Sequence, residues 1–189
     1  GSIVISDRIK EVAREAIASM KKIGVKRCVM LTGDRKETAE QVASEIGIDE
    51  VHAELLPGDK VAKVEELLNK ESDKERLAFV GDGINEAPVL AGADVGAAMG
   101  SGADAAIEAA DVVFMNSSME AIPRSVSISR STGTIAVQNI VIALFVKLLV
   151  MVLGFIGFAN IWAAIFADTG VAMICILNSL RILWKKYDR

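Results

Sequence analysis

The residues of this chain that can act on phosphate groups lie in three short segments. Thr32-Gly33-Asp34 follows an apolar stretch, so a hydroxyl group and turn amides are placed to hydrogen-bond a phosphoryl oxygen. Lys60 stands at the start of a helical pattern, where its ammonium group can neutralise a phosphoryl group. Gly81-Asp82-Gly83 follows a second apolar stretch, and its carboxylate offers Mg²⁺ a hard oxygen ligand. Each segment alone is typical of an ordinary turn or surface, but their order indicates a phosphate-handling site.

A second pair of chemically informative residues lies further along the chain. Lys147 and Asp168 each fall deep inside a long apolar segment. An ionised side chain at the centre of a bilayer costs at least ~2.5–3.5 kcal/mol, so it is retained mainly where it pairs, meets water or binds an ion. Counting from the segment ends predicts that the two charges lie within ~10 Å of each other. Because carboxylates suit borderline ions such as Zn²⁺, Asp168 is the candidate metal ligand and Lys147 its counter-ion. A pair that only fixes helix register is the alternative.

The two cysteines belong to different kinds of segment and form no CxxC motif. Cys175 follows Asp168 by seven residues and is expected near the same helix face. It is a candidate additional soft ligand, with a small buried apolar side chain as the alternative. Cys28 lies in an apolar strand pattern and is expected in the core. Asn178 and Arg181 are expected to make interhelical or interfacial contacts.

Alternating strand and helix patterns must position the phosphate-handling segments. The spacing of apolar residues predicts helices over 7–22, 36–46 and 57–69 and strands over 25–31, 51–54, 76–80, 95–98 and 111–115. Such alternation predicts an α/β fold with a parallel sheet covered on both faces. Ligand sites in these sheets lie at the carboxyl ends of the strands, which is where both Gly-Asp turns fall.

Two apolar segments, 138–158 and 161–184, are each long enough to cross a ~30 Å hydrocarbon core. Basic residues flank both outer ends, so the positive-inside rule places those ends and the preceding domain in the cytoplasm. Two buried helices of a soluble protein are the alternative. The predicted organisation is a phosphorylation-type domain over 1–117, a cytoplasmic lead-in helix over 118–134, a transmembrane hairpin over 135–184 (helices about 135–158 and 160–184) and a cytoplasmic tail over 185–189.

The composition of the chain excludes one class of partner. Its net charge of −4 leaves no basic stripe for nucleic acid, and its mean hydropathy of +0.40 is high for a soluble protein. The 189 residues amount to one soluble domain and a little more. Because Gly1 replaces an initiator Met, the chain is expected to start inside a longer polypeptide or to carry cloning residues.

At these residues the chain resembles the haloacid-dehalogenase superfamily and, within it, the P-type ATPases. The similarity rests on TGDRKETA at 32–39, PGDK at 57–60 and GDGINEAPVL at 81–90. The resemblance implies a Rossmannoid parallel sheet that forms part of a phosphorylation domain, with Mg²⁺ and ATP as cofactors. It implies that Thr32 contacts the phosphoryl group, Lys60 neutralises it and Asp82 holds Mg²⁺. The catalytic residues implied are Thr32, Gly33, Asp34, Lys60 and Asn85.

Position 86 departs from the family pattern, because Glu86 stands where the family has Asp. The charge is kept, but the carboxylate lies one methylene further from the backbone. Mg²⁺ requires near-ideal octahedral geometry, so the sequence leaves a metal role for Glu86 open. Slower phosphorylation with an intact fold is expected from this substitution.

The apolar hairpin resembles that of P-type ATPases that export zinc, cadmium and lead. Those exporters have a Lys in the first helix and Asp-Thr-Gly in the second, matching Lys147 and Asp168-Thr169-Gly170 here. The Tyr-Asn and Met-Ser patterns of copper exporters are absent from this sequence. The resemblance implies a multi-pass plasma-membrane protein that moves Zn²⁺, Cd²⁺ or Pb²⁺ outward.

The family nucleophile, an Asp in a DKTGT motif, is not in this sequence. An aspartyl-phosphate mechanism needs that carboxylate, so the chain alone is predicted to hydrolyse no ATP. The sequence therefore predicts the C-terminal portion of an ATP-driven heavy-metal export pump, whose remaining polypeptide supplies the nucleophile. One alternative is a non-catalytic truncated membrane partner or regulator of an intact pump. Another is a membrane-anchored phosphatase of the same superfamily.

Overall fold

The computed structural model describes residues 11–70, 72 and 74–185, and the chain divides into two compact units with the boundary after Pro123. The first unit alternates helices and strands, and a short 3₁₀ turn (Ile84–Glu86) precedes its fourth helix. Its elements are α1 (Glu11–Lys22), β1 (Val29–Leu31), α2 (Lys36–Ile46), β2 (Glu50–His52), α3 (Pro57–Lys70), β3 (Ala78–Gly81), α4 (Ala87–Gly92), β4 (Val95–Met99), α5 (Asp104–Ala109) and β5 (Val112–Phe114).

The strands of the first unit are all parallel and form two sheets. One sheet pairs β1 with β2, and the other has the order β3-β4-β5. A helix connects each pair of neighbours, as parallel strands require. These findings confirm the predicted parallel α/β class. The single sheet implied by the sequence is not formed, because no ladder joins β1 to β3 in the described residues.

The strand ends differ from the predicted ones for local reasons. β1 begins at Val29 because the backbone of Cys28 is already bonded: its N–H donates to Asp49 Oδ2 at 2.8 Å and its carbonyl accepts from Asp49 N at 3.0 Å. β2 ends at His52, shortly before Glu54 adopts a left-handed conformation with φ of 58°. The helix start predicted at Asp7 lies outside the described residues.

The apolar faces of the helices are buried against the sheets. Met20 of α1 packs against a cluster that contains Met99 and Phe114, and also against a second cluster that contains Cys28. Leu90 of α4 is fully buried in a third cluster. These contacts hold the strand ends that carry the phosphate-handling segments.

The second unit is built around a helical hairpin. Its first helix is α6 (Ala121–Phe155), whose 35 residues give a length of about 52 Å. The helix continues without a break through the predicted boundary between residues 134 and 135. Pro123 falls in the first helical turn, where proline is tolerated. The return segment comprises α7 (Ile161–Ile165), a π-helical segment (Phe166–Gly170) and α8 (Val171–Trp184).

Both arms of the hairpin are long and apolar enough to cross a membrane. No residue is buried in the most apolar 18-residue stretch of α6. In the corresponding stretch of Ile161–Trp184, 11% of the residues are buried. A core helix of a soluble protein would bury its apolar side chains. The exposure therefore favours the membrane interpretation over two buried helices of a soluble protein.

Candidate functional site

The segment Thr32-Gly33-Asp34 forms a turn at the carboxyl end of β1. The Thr32 N–H donates to the His52 carbonyl at 2.9 Å, which ties the turn to β2. The Thr32 hydroxyl donates to Asp34 Oδ2 at 2.8 Å and accepts from the Asp34 N–H at 3.1 Å. The structure thus places the hydroxyl at the strand end, where the sequence predicted it.

The chain after β2 joins this turn to the helix that carries Lys60. The Leu55 N–H donates to the Thr32 carbonyl at 3.1 Å, and the Glu54 N–H donates to the Asp34 carbonyl at 2.9 Å. α3 begins two residues later, and Lys60 lies in its first turn. Two hydrogen bonds therefore link the threonine turn to the start of the lysine helix.

Lys60 is paired with Glu86 in the loop after β3. Lys60 Nζ donates to Glu86 Oε1 at 2.7 Å, and the two side chains are 17% and 16% exposed. Glu86 Oε2 accepts from the N–H groups of Asp82 at 3.0 Å and Gly83 at 3.3 Å. A Cβ atom at Gly81 would overlap Glu86 Oε2, so this approach requires glycine there. Both oxygens of Glu86 are thus engaged by protein donors, which favours a positioning role over the metal role left open by the sequence.

The electrostatic environment of Glu86 keeps its carboxylate charged. Burial alone would raise the pKa of Glu86, but the Lys60 ammonium and the amides of Gly83 and Asp82 outweigh burial. Together they hold the pKa of Glu86 below its ordinary value of 4.5. At neutral pH the pair is therefore ionic, and it joins α3 to the loop after β3.

Asp82 and Asn85 are exposed at the carboxyl end of β3. The Asp82 carbonyl accepts from the Ala103 N–H at 2.9 Å, which fixes the loop against the segment before α5. Hydrogen bonds and the Lys60–Glu86 pair therefore connect all three phosphate-handling segments into one network. The sequence missed this pair, because the two residues lie 26 positions apart with no shared motif spacing.

A charge pair lies inside the hairpin of the second unit. Lys147 Nζ of α6 is 3.1 Å from Asp168 Oδ1, and the side chains are 57% and 77% exposed. This confirms the predicted pairing of Lys147 and Asp168. The two alternatives from the sequence, a metal site with its counter-ion and a register-fixing pair, share this geometry.

Asp168 lies within the π-helical segment, a rare backbone form that is frequent at functional sites. A Cβ atom at Gly170 would lie 2.6 Å from Cδ2 of Phe166, so the segment packs tightly only with glycine at this position. Ala167 and Val171, on either side of the Asp168–Gly170 stretch, are buried. The small and buried neighbours thus fix the backbone that presents the carboxylate.

Cys175 is not brought to Asp168 as a second ligand. Its thiol donates to the Asn139 carbonyl at 3.6 Å, about two helical turns beyond Asp168. Asp168 and Cys175 both contact α6, in line with the predicted shared helix face, but seven residues separate them by about 10 Å along the helix, so the thiol does not reach the carboxylate. Among the described residues no group of three or more His, Cys, Asp or Glu side chains is arranged to hold a metal ion.

Asn139 is the centre of a polar network between the two arms, which the sequence did not single out. Its amide nitrogen donates to Ser179 Oγ at 3.0 Å and to the Cys175 carbonyl at 3.2 Å. Its amide oxygen accepts from Asn178 at 2.8 Å. The interhelical contact predicted for Asn178 is therefore confirmed. The polar residues at 138–139 and 178–179 interrupt the two apolar arms, and they are the sequence feature from which this network could have been predicted.

Comparison with known proteins agrees with both parts of the chain. A sequence profile of haloacid dehalogenase-like hydrolases matches residues 1–94. The zinc-transporting ATPase of Synechocystis sp. is 54% identical over 183 residues, which cover 96% of this chain and 25% of that protein. The cadmium, zinc and cobalt-transporting ATPase of Bacillus subtilis is 50% identical over 184 residues, covering 97% of this chain and 26% of the relative.

A solved structure extends the agreement to three dimensions. The crystal structure of a zinc-transporting PIB-type ATPase in the E2.Pi state matches with a TM-score of 0.86 and 39% identity. The match covers 94% of this chain and 28% of that chain. The predicted haloacid-dehalogenase-like fold followed by two apolar helices is thereby confirmed. The chain spans about a quarter of the length of the curated relatives it matches.

Proposed function

We propose that this chain, which is similar to zinc- and cadmium-transporting ATPases, is the C-terminal portion of an ATP-driven heavy-metal export pump of the P-type ATPase family. The ions moved are Zn²⁺, Cd²⁺ or Pb²⁺. The observation that carries this proposal is the 3.1 Å pair between Lys147 and Asp168 inside an apolar hairpin. An intramembrane ion pair beside a π-helical segment is expected where an ion passes, since charges at this depth are otherwise costly.

The first unit supplies the phosphoryl-binding half of the catalytic centre. The Thr32 hydroxyl and turn amides bind a phosphoryl oxygen at the end of β1. Lys60 neutralises the same group: its ammonium has three donors, of which Glu86 takes one. Glu86 positions Lys60 and the loop after β3. Because the nucleophile lies outside the sequence, this chain alone hydrolyses no ATP.

The donor set fits Mg²⁺, the cofactor that the family implies. The Asp82 carboxylate is exposed at the carboxyl end of β3 and is a hard oxygen ligand. Mg²⁺ bound there would offset negative charge on the phosphoryl group. Asn85, exposed in the same loop, is a polar partner of the phosphoryl site.

In the hairpin, Asp168 is the ligand of the transported ion and Lys147 its internal counter-ion. Without cargo, the ammonium and carboxylate neutralise each other. A divalent cation competes with Lys147 for the carboxylate, and the return of Lys147 to Asp168 favours release of the ion. The chain spans the plasma membrane, with both outer ends and the first unit in the cytoplasm. The basic residues near both outer ends support this orientation.

The test uses the full-length pump in inside-out membrane vesicles, with ATP-dependent Zn²⁺ uptake and zinc-stimulated ATP hydrolysis measured together. Asp168→Asn should abolish both activities. Asp104→Asn, which removes an exposed carboxylate in α5 of the first unit, is the matched control and should keep both. Zinc affinity that is unchanged in Asp168→Asn would contradict the ligand role. ATP hydrolysis by the purified 189-residue chain would contradict its predicted inactivity.

A further inference from the structure

A cavity of about 500 Å³ lies between α6 and α8 at the basic end of the hairpin. Of the described residues that line it, three are cationic and none is acidic. The lining residues are Arg130, Ser131, Thr134, Ile135, Gln138, Arg181, Trp184 and Lys185. A concave surface with this composition is suited to an anion.

Hydrogen bonds position the cationic side chains in this cavity. Lys185 Nζ donates to Ser131 Oγ at 2.8 Å, which joins the end of α8 to α6. Arg181 Nη1 donates to Asn178 Oδ1 at 2.9 Å, within α8. These two hydrogen bonds hold the Lys185 ammonium and the Arg181 guanidinium in place at the cavity wall. Less side-chain entropy is therefore lost when a ligand binds.

The hydroxyl groups in the cavity donate to their own helix. Ser131 Oγ donates to the Ser127 carbonyl at 2.9 Å, and Thr134 Oγ1 donates to the Arg130 carbonyl at 2.8 Å. The donors that face a ligand are therefore mainly guanidinium and ammonium groups. Guanidinium groups bind phosphate oxygens in pairs, so the cavity matches a phosphate group.

The surroundings of the cavity distinguish a lipid from a soluble phosphate. Trp184 is 80% exposed at the rim, and tryptophan is enriched at the depth of lipid head groups. Within the next two turns of α6 towards the apolar part, Val137, Ile140 and Val141 are exposed and offer a surface for acyl chains. Basic pockets between helices on the cytoplasmic side of membranes typically receive anionic head groups.

We propose that this cavity binds the phosphate group of an anionic phospholipid from the cytoplasmic leaflet. Free inorganic phosphate has the same binding chemistry and is the competing source. The inference rests on the membrane placement proposed above. It assigns Arg130, Arg181 and Lys185 to lipid recognition rather than to metal transport or phosphoryl transfer.

Trp184 provides a local optical probe for the test. The sequence has two tryptophans, and Trp162→Phe leaves Trp184 as the only one. The full 189-residue chain in this background is reconstituted into phosphatidylcholine vesicles. Brominated phosphatidylglycerol or brominated phosphatidylcholine with identical chains is then titrated in, and quenching of Trp184 gives the relative affinity. A parallel titration adds inorganic phosphate and follows the same emission.

We expect the anionic lipid to quench at several-fold lower mole fraction than the zwitterionic lipid. Arg130→Gln and Arg181→Gln should each lower this preference about fivefold, the effect of one basic residue near a charged surface. Arg124→Gln, which removes one charge from the same helix outside the cavity, should retain the preference. Arg181→Lys keeps the charge and should retain most of it, which separates charge loss from misfolding.

Four results would overturn the proposal, each in a distinguishable way. Equal quenching by both lipids would show that no head-group site exists, although the hairpin is inserted. No quenching by either lipid would instead refute the membrane placement. If Arg124→Gln lowered the preference for the anionic lipid as much as Arg130→Gln does, the preference would come from general surface charge and not from the cavity. A saturable response to millimolar inorganic phosphate without lipid preference would identify soluble phosphate as the ligand.

Discussion

Loss of the Lys60–Glu86 pair should destabilise the first unit more than loss of an exposed ion pair does. The pair is short, at 2.7 Å, and both side chains are less than one-fifth exposed. We consider Lys60→Met, Glu86→Gln and the double variant, all in the 189-residue chain in mild detergent. Glu86→Gln keeps an oxygen that can accept from the loop amides, so it isolates the loss of charge.

The expected magnitude follows from the partial burial of the pair. A hydrogen bond to a charged group contributes about 1.5–3 kcal/mol, and breaking a fully buried ion pair costs about 3–5 kcal/mol. Because both groups retain some solvent contact, each single variant should lose about 2 kcal/mol of unfolding free energy. The double variant leaves no unpaired charge, so the coupling energy should be about 1–2 kcal/mol.

Chemical labelling of the Cys28 thiol can measure the unfolding of the first unit. The Cys28 side chain is 8% exposed in the core of the first unit, and burial, with a further contribution from Asp49, raises the pKa of its thiol. Both effects suppress its reaction with a thiol reagent until this unit unfolds. Cys175→Ser removes the second thiol of the chain. The fraction of labelled Cys28 across a urea series then gives the unfolding free energy of each variant.

The exposed pair Lys36–Glu40 on α2 is the matched control. Its atoms are 3.8 Å apart and its side chains are 72% and 58% exposed. A surface pair at this spacing is expected to couple by about 0.3–0.5 kcal/mol. If the Lys60–Glu86 cycle gives a coupling no larger than the control, the pair does not hold the loop and the assigned positioning role is wrong.

Further predictions concern the same loop and the hairpin. Because the folded-state pKa of Glu86 is lowered, its stabilising contribution should be complete above pH 4.5 and lost as the pH falls through the folded pKa; Glu86→Gln should flatten this part of the pH profile of unfolding free energy, measured by circular dichroism. In the full-length pump, Glu86→Asp should speed formation of the phosphoenzyme, measured by transfer of labelled phosphate from ATP. An unchanged rate would show that the extra methylene of Glu86 does not slow phosphorylation. Gly170→Ala should cost about 1–3 kcal/mol of hairpin stability in a detergent unfolding assay, because the new methyl group meets the Phe166 ring at 2.6 Å. Gly154→Ala, which meets nothing within 4 Å, should be neutral, and equal effects would refute the packing argument. Asn139→Ala should destabilise the same hairpin by about 0.6–1.7 kcal/mol, and no change would mean that its interhelical hydrogen bonds are replaced by other partners.

Local patterns in the sequence predict most of the first unit. The 3.6-residue spacing predicts α2 with the bounds Lys36–Ile46 that the structure has, because Gly47 ends it in a left-handed conformation. Strand bounds differ by one to four residues, because side chains such as Asp49 replace ladder partners. The division into two sheets could not be predicted, since strand order depends on pairing between segments that no local pattern relates.

The hairpin shows the same division between local and tertiary information. Lys147 and Asp168 could be paired from the sequence because they are the charges deepest in two apolar segments. The π-helical segment has no simple sequence signal. The spacing of Asp168 and Cys175 predicts that they share a helix face, but it does not predict the bond from the Cys175 thiol to the Asn139 carbonyl. Asn139 and Asn178 lie 39 positions apart, and only the folded hairpin brings them together.

The unequal lengths of the hairpin arms bear on how the protein adapts to different membranes. α6 has 35 residues, about 52 Å, and the return arm from Ile161 to Trp184 has 24, about 36 Å. A hydrocarbon core is about 30 Å thick and varies by a few ångström between membranes. The hydroxyl groups of Ser131, Thr132 and Thr134 donate to carbonyls of their own helix, so α6 can shift its depth without leaving these hydroxyl groups without a partner. The shorter arm, which ends at Trp184 and Lys185, must instead tilt. A change in acyl-chain length should therefore alter the depth of α6 and the tilt of the arm that carries Asp168.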